Sequence, residues 1–123
     1  MNPTVLVVDD DPSLAEELRL ALQSEPISLD LATDVPTAIR YLDEREYCGM
    51  VLDLVLERSG SGFDVLRHVR ERGGPLPTVV VSNKLPSYVR EMLDDQHVKL
   101  VFPKPVDPKL LASIVMGLCG IAL

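Results

Sequence analysis

The chain has 123 residues, a formal net charge of −7 at pH 7 and 46% hydrophobic residues. This length fits one domain with a single hydrophobic core, and the acidic balance argues against direct nucleic-acid binding. The first apolar run is short and stops at three acids, so it does not match a secretory signal peptide. No apolar segment is long enough to cross a bilayer. We therefore expect one cytoplasmic domain over 1–123, without membrane insertion and without an effector domain in this chain.

The two cysteines, Cys48 and Cys119, lie far apart in the sequence. Two such residues are too few to indicate a metal site or a disulfide framework. We expect two buried free thiols in a reducing compartment.

Short apolar runs alternate with segments of helical periodicity, which predicts βαβ units and a parallel sheet. In the first half, the predicted elements are a strand at 4–8, a helix from Pro12, an edge strand at 28–32, a helix from Pro36 and a strand that ends at Asp53. Asp11 can cap the first helix, and Ser13 with Glu16 offers a competing capping box. The first strand is apolar on both sides, as expected when helices cover both faces of the sheet.

The second half continues the same alternation after a predicted loop at 59–62. Its predicted elements are a helix burying Phe63, Leu66 and Val69, a strand at 78–81, a helix from Pro86 carrying Val89, Met92 and Leu93, a strand at 99–102 and a last helix capped by Asp107. Right-handed crossovers then predict an α/β fold with a doubly wound five-stranded parallel sheet. With helices on both faces, we expect the flavodoxin-like strand order 2-1-3-4-5.

Polar residues follow four of the predicted strands. Asp9 and Asp10 follow the first strand, Asp53 the third, Ser82 the fourth and Lys104 the fifth. The carboxyl ends of parallel strands share one edge of the sheet, and ligands bind at that edge. Taken singly, the first acids could merely cap a helix, the serine could belong to a turn and the lysine could be solvated. Taken together, they predict one cluster around the third strand's carboxylate.

In this order and spacing, the motifs resemble the receiver domain of bacterial two-component response regulators over nearly the whole chain. The matching residues are Val-Leu-Val-Val before Asp9-Asp10, the strand-end Asp53, Ser82 and Lys104-Pro105. The resemblance implies a signalling switch that a histidine kinase or phosphotransfer protein phosphorylates on aspartate, with Mg²⁺ required. It implies a protein that is not an enzyme, although it assists its own phosphorylation and dephosphorylation.

The resemblance also implies which residues would bind the Mg²⁺ ion. Asp53 would be the phosphoacceptor and, with Asp10, a direct carboxylate ligand of Mg²⁺. Asp9 would bind the ion directly or through a water, and the backbone carbonyl of Val55 would complete the set.

Lys104 and Ser82 would bind phosphoryl oxygens, and the Lys104–Pro105 peptide bond would be cis. Three features depart from the family pattern. Asn83 follows the serine at a position where a small residue is usual, and the loop after Asp53 is one residue longer than the common form and lacks its usual proline. The position three residues before the lysine, usually aromatic, is Val101, and Phe102 should point to the opposite face. This departure leaves an alternative function open, namely an interaction module that works without phosphorylation. A nucleotide- or flavin-binding enzyme is disfavoured because the chain has no glycine-rich phosphate-binding motif.

The last helix has no charged side chain after Lys109. Its predicted sheet-facing stripe is Leu110, Leu111, Ile114, Val115 and Leu118, with Ala112, Met116 and Cys119 outside. An apolar outer face predicts an interaction surface over 108–121, with a homodimer as the first choice and a kinase or downstream domain as the second. The plainer alternative is that Gly117 and Gly120 end the helix early and the tail frays.

Overall fold

A computed structural model describes residues 2–56, 60–83, 87, 91 and 96–121 of the chain. Its elements are β1 (Thr4–Val8), α1 (Ser13–Ala21), β2 (Ser28–Ala32), α2 (Val35–Glu44), β3 (Gly49–Leu52), β4 (Val55–Leu56), β5 (Gly60–Ser61), α3 (Gly62–Arg72), β6 (Thr78–Ser82), β7 (Val98–Pro103) and α4 (Pro108–Leu118). A five-stranded parallel sheet has the order β2-β1-β3-β6-β7, which confirms the predicted doubly wound α/β fold. The predicted helix from Pro86, with Val89, Met92 and Leu93, lies outside the described residues.

Two apolar clusters cover the two faces of the sheet. Alternate residues of each strand point to opposite faces, so Leu6 and Val8 join the cluster beneath α2 and α3, whereas Val5 and Val7 join the cluster beneath α1 and α4. We call these the α2/α3 cluster and the α1/α4 cluster. Because the last four of the five β1 side chains are apolar and fully buried, the strand is apolar on both sides, as predicted.

The loop predicted at 59–62 was wrong for its described residues, because Gly60 and Ser61 form β5 and Gly62 starts α3, while Ser59 lies outside the described residues. In β4 and β5, Val55 lies opposite Ser61 in an antiparallel pair. Ser61 also caps α3, because its Oγ accepts the Phe63 N–H at 3.1 Å and its own N–H donates to the Asp64 carboxylate at 3.3 Å. The short β4–β5 pair therefore places the capped start of α3 beside the residues that follow Asp53.

The prediction of which side of α4 is buried was wrong in part: Leu111 and Val115 are buried as predicted, but Ala112 and Met116, which were predicted to lie outside, are buried too. Leu111, Ala112, Val115 and Met116 are the buried residues, whereas Leu110 is 49% exposed. A helix that is apolar on almost every side does not reveal its rotation through hydrophobicity alone. The better signal is the run of weakly apolar or polar positions at four-residue spacing, Lys109, Ser113 and Gly117, which mark the exposed side.

The helix does not end early at its first glycine, because α4 continues to Leu118. Gly120, two residues beyond that end, has a φ of +69°, a conformation that glycine adopts without a steric penalty.

Within the part of the chain that the structure describes, no helix combines the length and apolar composition needed to cross a membrane.

The prediction of two free thiols was also wrong. Cys48 and Cys119 form a disulfide, with their Cα atoms 4.8 Å apart. Sequence separation conceals this proximity, because crossover helices return antiparallel to the strands of the sheet. The start of β3 and the end of α4 therefore meet at the amino edge of the sheet.

The two edge strands carry polar or non-pairing groups. On β2, Asp30 accepts hydrogen bonds from Arg45 at 3.0 Å and from the Tyr47 hydroxyl at 2.7 Å. Burial, together with this carboxylate, raises the pKa of the Tyr47 phenol. On β7, Lys99 is exposed, and Pro103 at the end of the strand has no backbone N–H.

Asp34 caps α2 through its side chain, which accepts the Thr37 N–H at 2.7 Å. The Thr37 hydroxyl and then this N–H hold the pKa of the Asp34 carboxyl below its ordinary value of 3.8. Because the folded-state pKa is lowered, the stabilisation is present above the ordinary value and is lost as pH falls through the folded value. We expect Asp34→Ala to lower the free energy of unfolding by about 1 kcal/mol at neutral pH, and by less in acid.

Urea unfolding at the two pH values measures this effect. Asp34→Asn is the matched control, because asparagine caps helices well but does not titrate. An Asp34→Ala protein as stable as wild type at neutral pH would contradict the assignment.

Candidate functional site

The carboxyl ends of the sheet strands bring four polar side chains together. Asp9 follows β1, Asp53 follows β3, Ser82 ends β6 and Lys104 follows β7. Backbone hydrogen bonds extend the ladder past the strand ends, from the Asp53 N–H to the Val8 carbonyl at 2.9 Å and from the Lys104 N–H to the Ser82 carbonyl at 3.0 Å. The sheet itself therefore fixes where each of these side chains starts.

The ammonium of Lys104 lies between two buried carboxylates. Its Nζ donates to Asp9 Oδ2 at 2.6 Å and to Asp53 Oδ2 at 2.9 Å. Asp9 and Asp53 are only 1% and 5% exposed, and the lysine side chain is 17% exposed. Buried charges are tolerated only when they are paired and hydrogen-bonded. Lys104 is therefore a fixed part of the cluster, which rules out its interpretation as a solvated surface lysine.

The pKa values of this ion network follow from burial and pairing. Burial raises the pKa of the Asp9 carboxyl, and the hydrogen bond from Lys104 only partly offsets that rise. Burial alone would lower the pKa of Lys104, but the hydrogen bonds to Asp9 and Asp53 outweigh it, so its pKa is raised. The ammonium therefore stays charged at neutral pH.

Three donors orient the carboxylate of Asp53. Its Oδ1 accepts hydrogen bonds from the Val55 N–H and from the Ser82 hydroxyl, both at 2.9 Å, while Oδ2 accepts the bond from Lys104. Ser82 is fully buried, so its hydroxyl serves this carboxylate rather than a solvated turn. Both oxygens of Asp53 are thus held in defined directions.

Three carboxylates have the chemistry of a Mg²⁺ site. Asp9, Asp10 and Asp53 each offer an oxygen, and these atoms all lie within 4.8 Å of one another. Mg²⁺ prefers oxygen ligands and binds through one or two carboxylates while keeping several waters, so this donor set fits the ion. A cavity of about 350 Å³ opens at the same place. It is lined by Asp9, Asp10, Asp11, Asp53, Val55, Asn83 and Lys104.

Two further sequence predictions concern neighbours of the cluster. Asp11 was expected to cap the first helix, and its Oδ1 accepts both the N–H and the hydroxyl of Ser13, at 2.9 and 2.7 Å. The Lys104–Pro105 bond was expected to be cis, and it is cis. The cis bond is confirmed, whereas the cap prediction is not: α1 begins at Ser13, its N-cap position is Pro12, and that helix has no side-chain cap. Asn83 was noted only as a departure from the family pattern, yet it lines the cavity.

Gly62 is a positioning residue that the sequence interpretation missed. Its N–H donates to the Leu54 carbonyl at 3.0 Å, which holds the start of α3 against the chain just after Asp53. A Cβ at this position would collide with the Asp53 carbonyl oxygen and would lie 2.8 Å from Leu54 Cα. The signal in the sequence was a glycine directly after the Ser61 cap.

Comparison with known families decides what kind of domain carries this cluster. The model of the response regulator receiver domain matches residues 5–116. The chain belongs to the response regulator receiver family. Receivers are signalling domains of two-component systems, in which phosphorylation of an aspartate is the hallmark and histidine kinases or phosphotransfer proteins are the partners.

The chain is also similar to individual proteins and to solved structures. The receiver is 32% identical to a protein of Leptolyngbya boryana named uncharacterized 14.6 kDa protein in sodA1 3′ region, with 94% of this chain and 88% of that protein aligned. It is 34% identical to the transcriptional regulatory protein DltR of Streptococcus agalactiae over 68% of this chain, which spans only 37% of DltR. The crystal structure of the receiver domain of a putative LuxO repressor from Vibrio parahaemolyticus has the same fold, with a TM-score of 0.86 at 22% identity over 98% and 92% of the two chains.

The close approach of Gly62 gives a stability prediction. We expect Gly62→Ala to lower the free energy of unfolding by about 1–3 kcal/mol, because the added methyl group must displace the backbone at Asp53. Gly117→Ala is the control, since that glycine lies in α4 with open space around an added Cβ. There, alanine should raise stability by about 0.5–1 kcal/mol. Urea unfolding that ranks the two variants in the opposite order would contradict the role of Gly62.

Proposed function

We propose that this receiver is a phosphoacceptor switch. Asp53 takes a phosphoryl group from the phosphohistidine of a histidine kinase or phosphotransfer protein in a Mg²⁺-dependent reaction, and the product binds partners differently. The observation that carries the proposal is the environment of Asp53. Its carboxylate is oriented by Ser82, paired with Lys104, and placed beside the carboxylates of Asp9 and Asp10.

The transfer requires an anionic group to attack another anionic group. A carboxylate oxygen of Asp53 attacks phosphorus, the phosphorus–nitrogen bond to the histidine breaks, and the nitrogen leaves with the electron pair. Little covalent chemistry falls to the protein, so its contribution is positioning and electrostatic stabilisation. The Lys104 ammonium supplies positive charge 2.9 Å from Asp53 Oδ2.

The same side chains serve the phosphorylated form. Phosphorylation adds roughly −1.5 to −2 charges at Asp53. Ser82 and Lys104 then donate to phosphoryl oxygens instead of to the free carboxylate. Donors fixed in this way also stabilise the attack of water on the phosphoryl group, so the receiver assists both its own phosphorylation and its own dephosphorylation.

The metal belongs to the proposal through the donor set. Asp10 and Asp53 would hold Mg²⁺ directly, Asp9 directly or through a water, and the Val55 backbone carbonyl would complete the protein ligands. Bound there, the ion supplies positive charge that neutralises phosphoryl oxygens. We further propose that 1–123 is a single receiver domain and that it works in the cytoplasm.

An interaction module that works without phosphorylation is the second candidate. It is favoured by one observation at the position where the family usually has an aromatic side chain. Val101 packs, partly buried, on the α2/α3 cluster, whereas Phe102 packs on the α1/α4 cluster. The ring is thus on the opposite face of the sheet, as predicted, and cannot replace the missing aromatic at position 101.

Substitutions in the carboxylate cluster separate the two candidates. Asp53→Asn should abolish the phosphoprotein mass shift after incubation with acetyl phosphate and Mg²⁺, because the nucleophile is lost. Asp10→Asn should weaken Mg²⁺ binding by roughly tenfold or more, because a ligand is lost. Asp43→Asn is the matched control, since that exposed carboxylate on α2 pairs with His68 and does not line the cavity. It should keep both properties.

Intact-protein mass spectrometry and a Mg²⁺ titration followed by amide chemical shifts make these measurements. An unchanged mass shift in Asp53→Asn protein would sink the phosphoacceptor assignment. An unphosphorylated wild type, beside a positive-control receiver in the same mixture, would favour the interaction module.

A homodimer through the outer face of α4 is the proposed assembly. Leu110 is the exposed apolar residue there, whereas Met116, only 4% exposed, belongs to the core. We expect Leu110→Lys to weaken self-association in sedimentation experiments. Leu20→Lys is the control, because Leu20 lies on α1 and is 67% exposed. This variant should leave self-association unchanged. Monomers at every concentration in all three proteins would contradict the dimer.

A further inference from the structure

The Cys48–Cys119 disulfide occupies the edge of the sheet opposite the phosphorylation site. Cys48 immediately precedes β3, and Cys119 immediately follows α4. Both residues are partly exposed and pack against the α1/α4 cluster. The bond therefore joins the ends of two elements at a place that solvent can reach.

These two elements connect the disulfide with the ion pair of the site. Along β3 the chain runs from Cys48 to Asp53, and along α4 it runs back from Cys119 towards Lys104. Lys104 Nζ and Asp53 Oδ2 close the other end at 2.9 Å. The result is a closed frame, with a covalent bond at one end, an ion pair at the other, and β3 and α4 as its sides.

The frame can open at the disulfide without loss of the fold. Leu111 and Val115 are fully buried and hold α4 against the sheet. At its end, the Ile121 N–H donates to the Met116 carbonyl at 2.9 Å, and on the other side the Cys48 N–H donates to the Thr4 carbonyl at 2.9 Å. Noncovalent contacts therefore keep both cysteines near each other when the bond is broken.

The flanks of Cys119 leave room for an attacking thiolate. Gly117 and Gly120 lie on either side of it, both are exposed, and a Cβ added at either position would meet nothing within 4 Å. Exchange rates depend on access to the sulfur that is attacked. Because these glycines carry no side chains that could block an approach beside Cys119, we expect its Sγ to be the sulfur that is attacked.

We propose that Cys48–Cys119 is a reversible thiol–disulfide exchange site that responds to a dithiol/disulfide couple. A thiolate of the dithiol attacks Cys119 Sγ, the protein disulfide breaks, and Cys48 leaves as a thiolate that takes up a proton. The second thiol of the same dithiol, as a thiolate, then attacks the dithiol sulfur in the mixed disulfide. The bond to Cys119 breaks, and Cys119 leaves as a thiolate that takes up a proton. The protein gains two electrons and two protons, and the dithiol becomes a disulfide.

The consequence of the exchange is transmitted along the frame. With the bond formed, the end of α4 is tied to the start of β3, so the ion pair at the far end is confined. With the bond reduced, only noncovalent contacts hold the end of α4 beside β3, so small shifts between the two elements are no longer prevented by a covalent bond, and the Asp53–Lys104 pair is less confined. This inference goes beyond the phosphoacceptor proposal, because the exchange does not require Asp53 to be phosphorylated.

Alkylation of the folded, full-length chain tests the exchange. After dithiothreitol treatment without denaturant, wild type should gain two N-ethylmaleimide adducts in an intact mass measurement, and after oxidised glutathione it should gain none. The Cys48→Ser/Cys119→Ser variant should gain none in either case. If the bond opens only in urea, or if oxidised glutathione does not restore it, the site is not a reversible exchange site.

Amide spectra of the oxidised and reduced forms test the frame. Chemical shift changes should extend from the two cysteines to Asp53 and Lys104, and the double serine variant should match the reduced form. Changes confined to the residues adjoining the two cysteines would overturn the coupling. Neither readout uses a phosphoryl donor, so both outcomes are independent of whether Asp53 is phosphorylated.

Discussion

The contact of the Lys104 ammonium with two buried carboxylates is the interaction on which the rest of the site depends. Asp9 and Asp53 come from different strands and are almost inaccessible to water. Two like charges so close together would otherwise push one carboxyl towards its protonated form. The lysine offsets this repulsion from a third strand end, and α4 begins four residues after it. The strand order therefore brings the lysine to the same edge of the sheet as the two carboxylates whose repulsion it offsets.

Rigid neighbours convert this charge balance into a defined geometry. Backbone hydrogen bonds place Asp53 and Lys104, and the Ser82 hydroxyl and Val55 N–H set the direction of the carboxylate. Gly62 lets α3 start in direct contact with the same stretch of chain. Groups that act by electrostatics must be oriented before the substrate arrives, because reorientation during the reaction would cost part of their effect. The site meets this requirement with main-chain contacts as much as with side chains.

The fold and the strand-end cluster could be predicted because their signals are local. A run such as Val5 to Val8 is buried on both sides in any arrangement that uses it, and parallel strands bring their carboxyl ends to one edge. The rotation of α4 could not be read from its leucines, because nearly every side of that helix is apolar. Two features could not be predicted, the Cys48–Cys119 bond and the close approach of Gly62 to the backbone after β3. Both depend on three-dimensional proximity, which sequence spacing does not encode.

The composition of the two edge strands limits how molecules of this receiver can associate. An open sheet offers unpaired backbone groups at each edge, and these can template strand addition and aggregation. On β2 the charged Asp30 and its partners occupy the edge, while on β7 an exposed lysine and a terminal proline do so. Charges and prolines at edges oppose further strand pairing. Association between copies of this receiver by strand addition is therefore opposed at both edges of the sheet, which leaves helix surfaces as the places for contact.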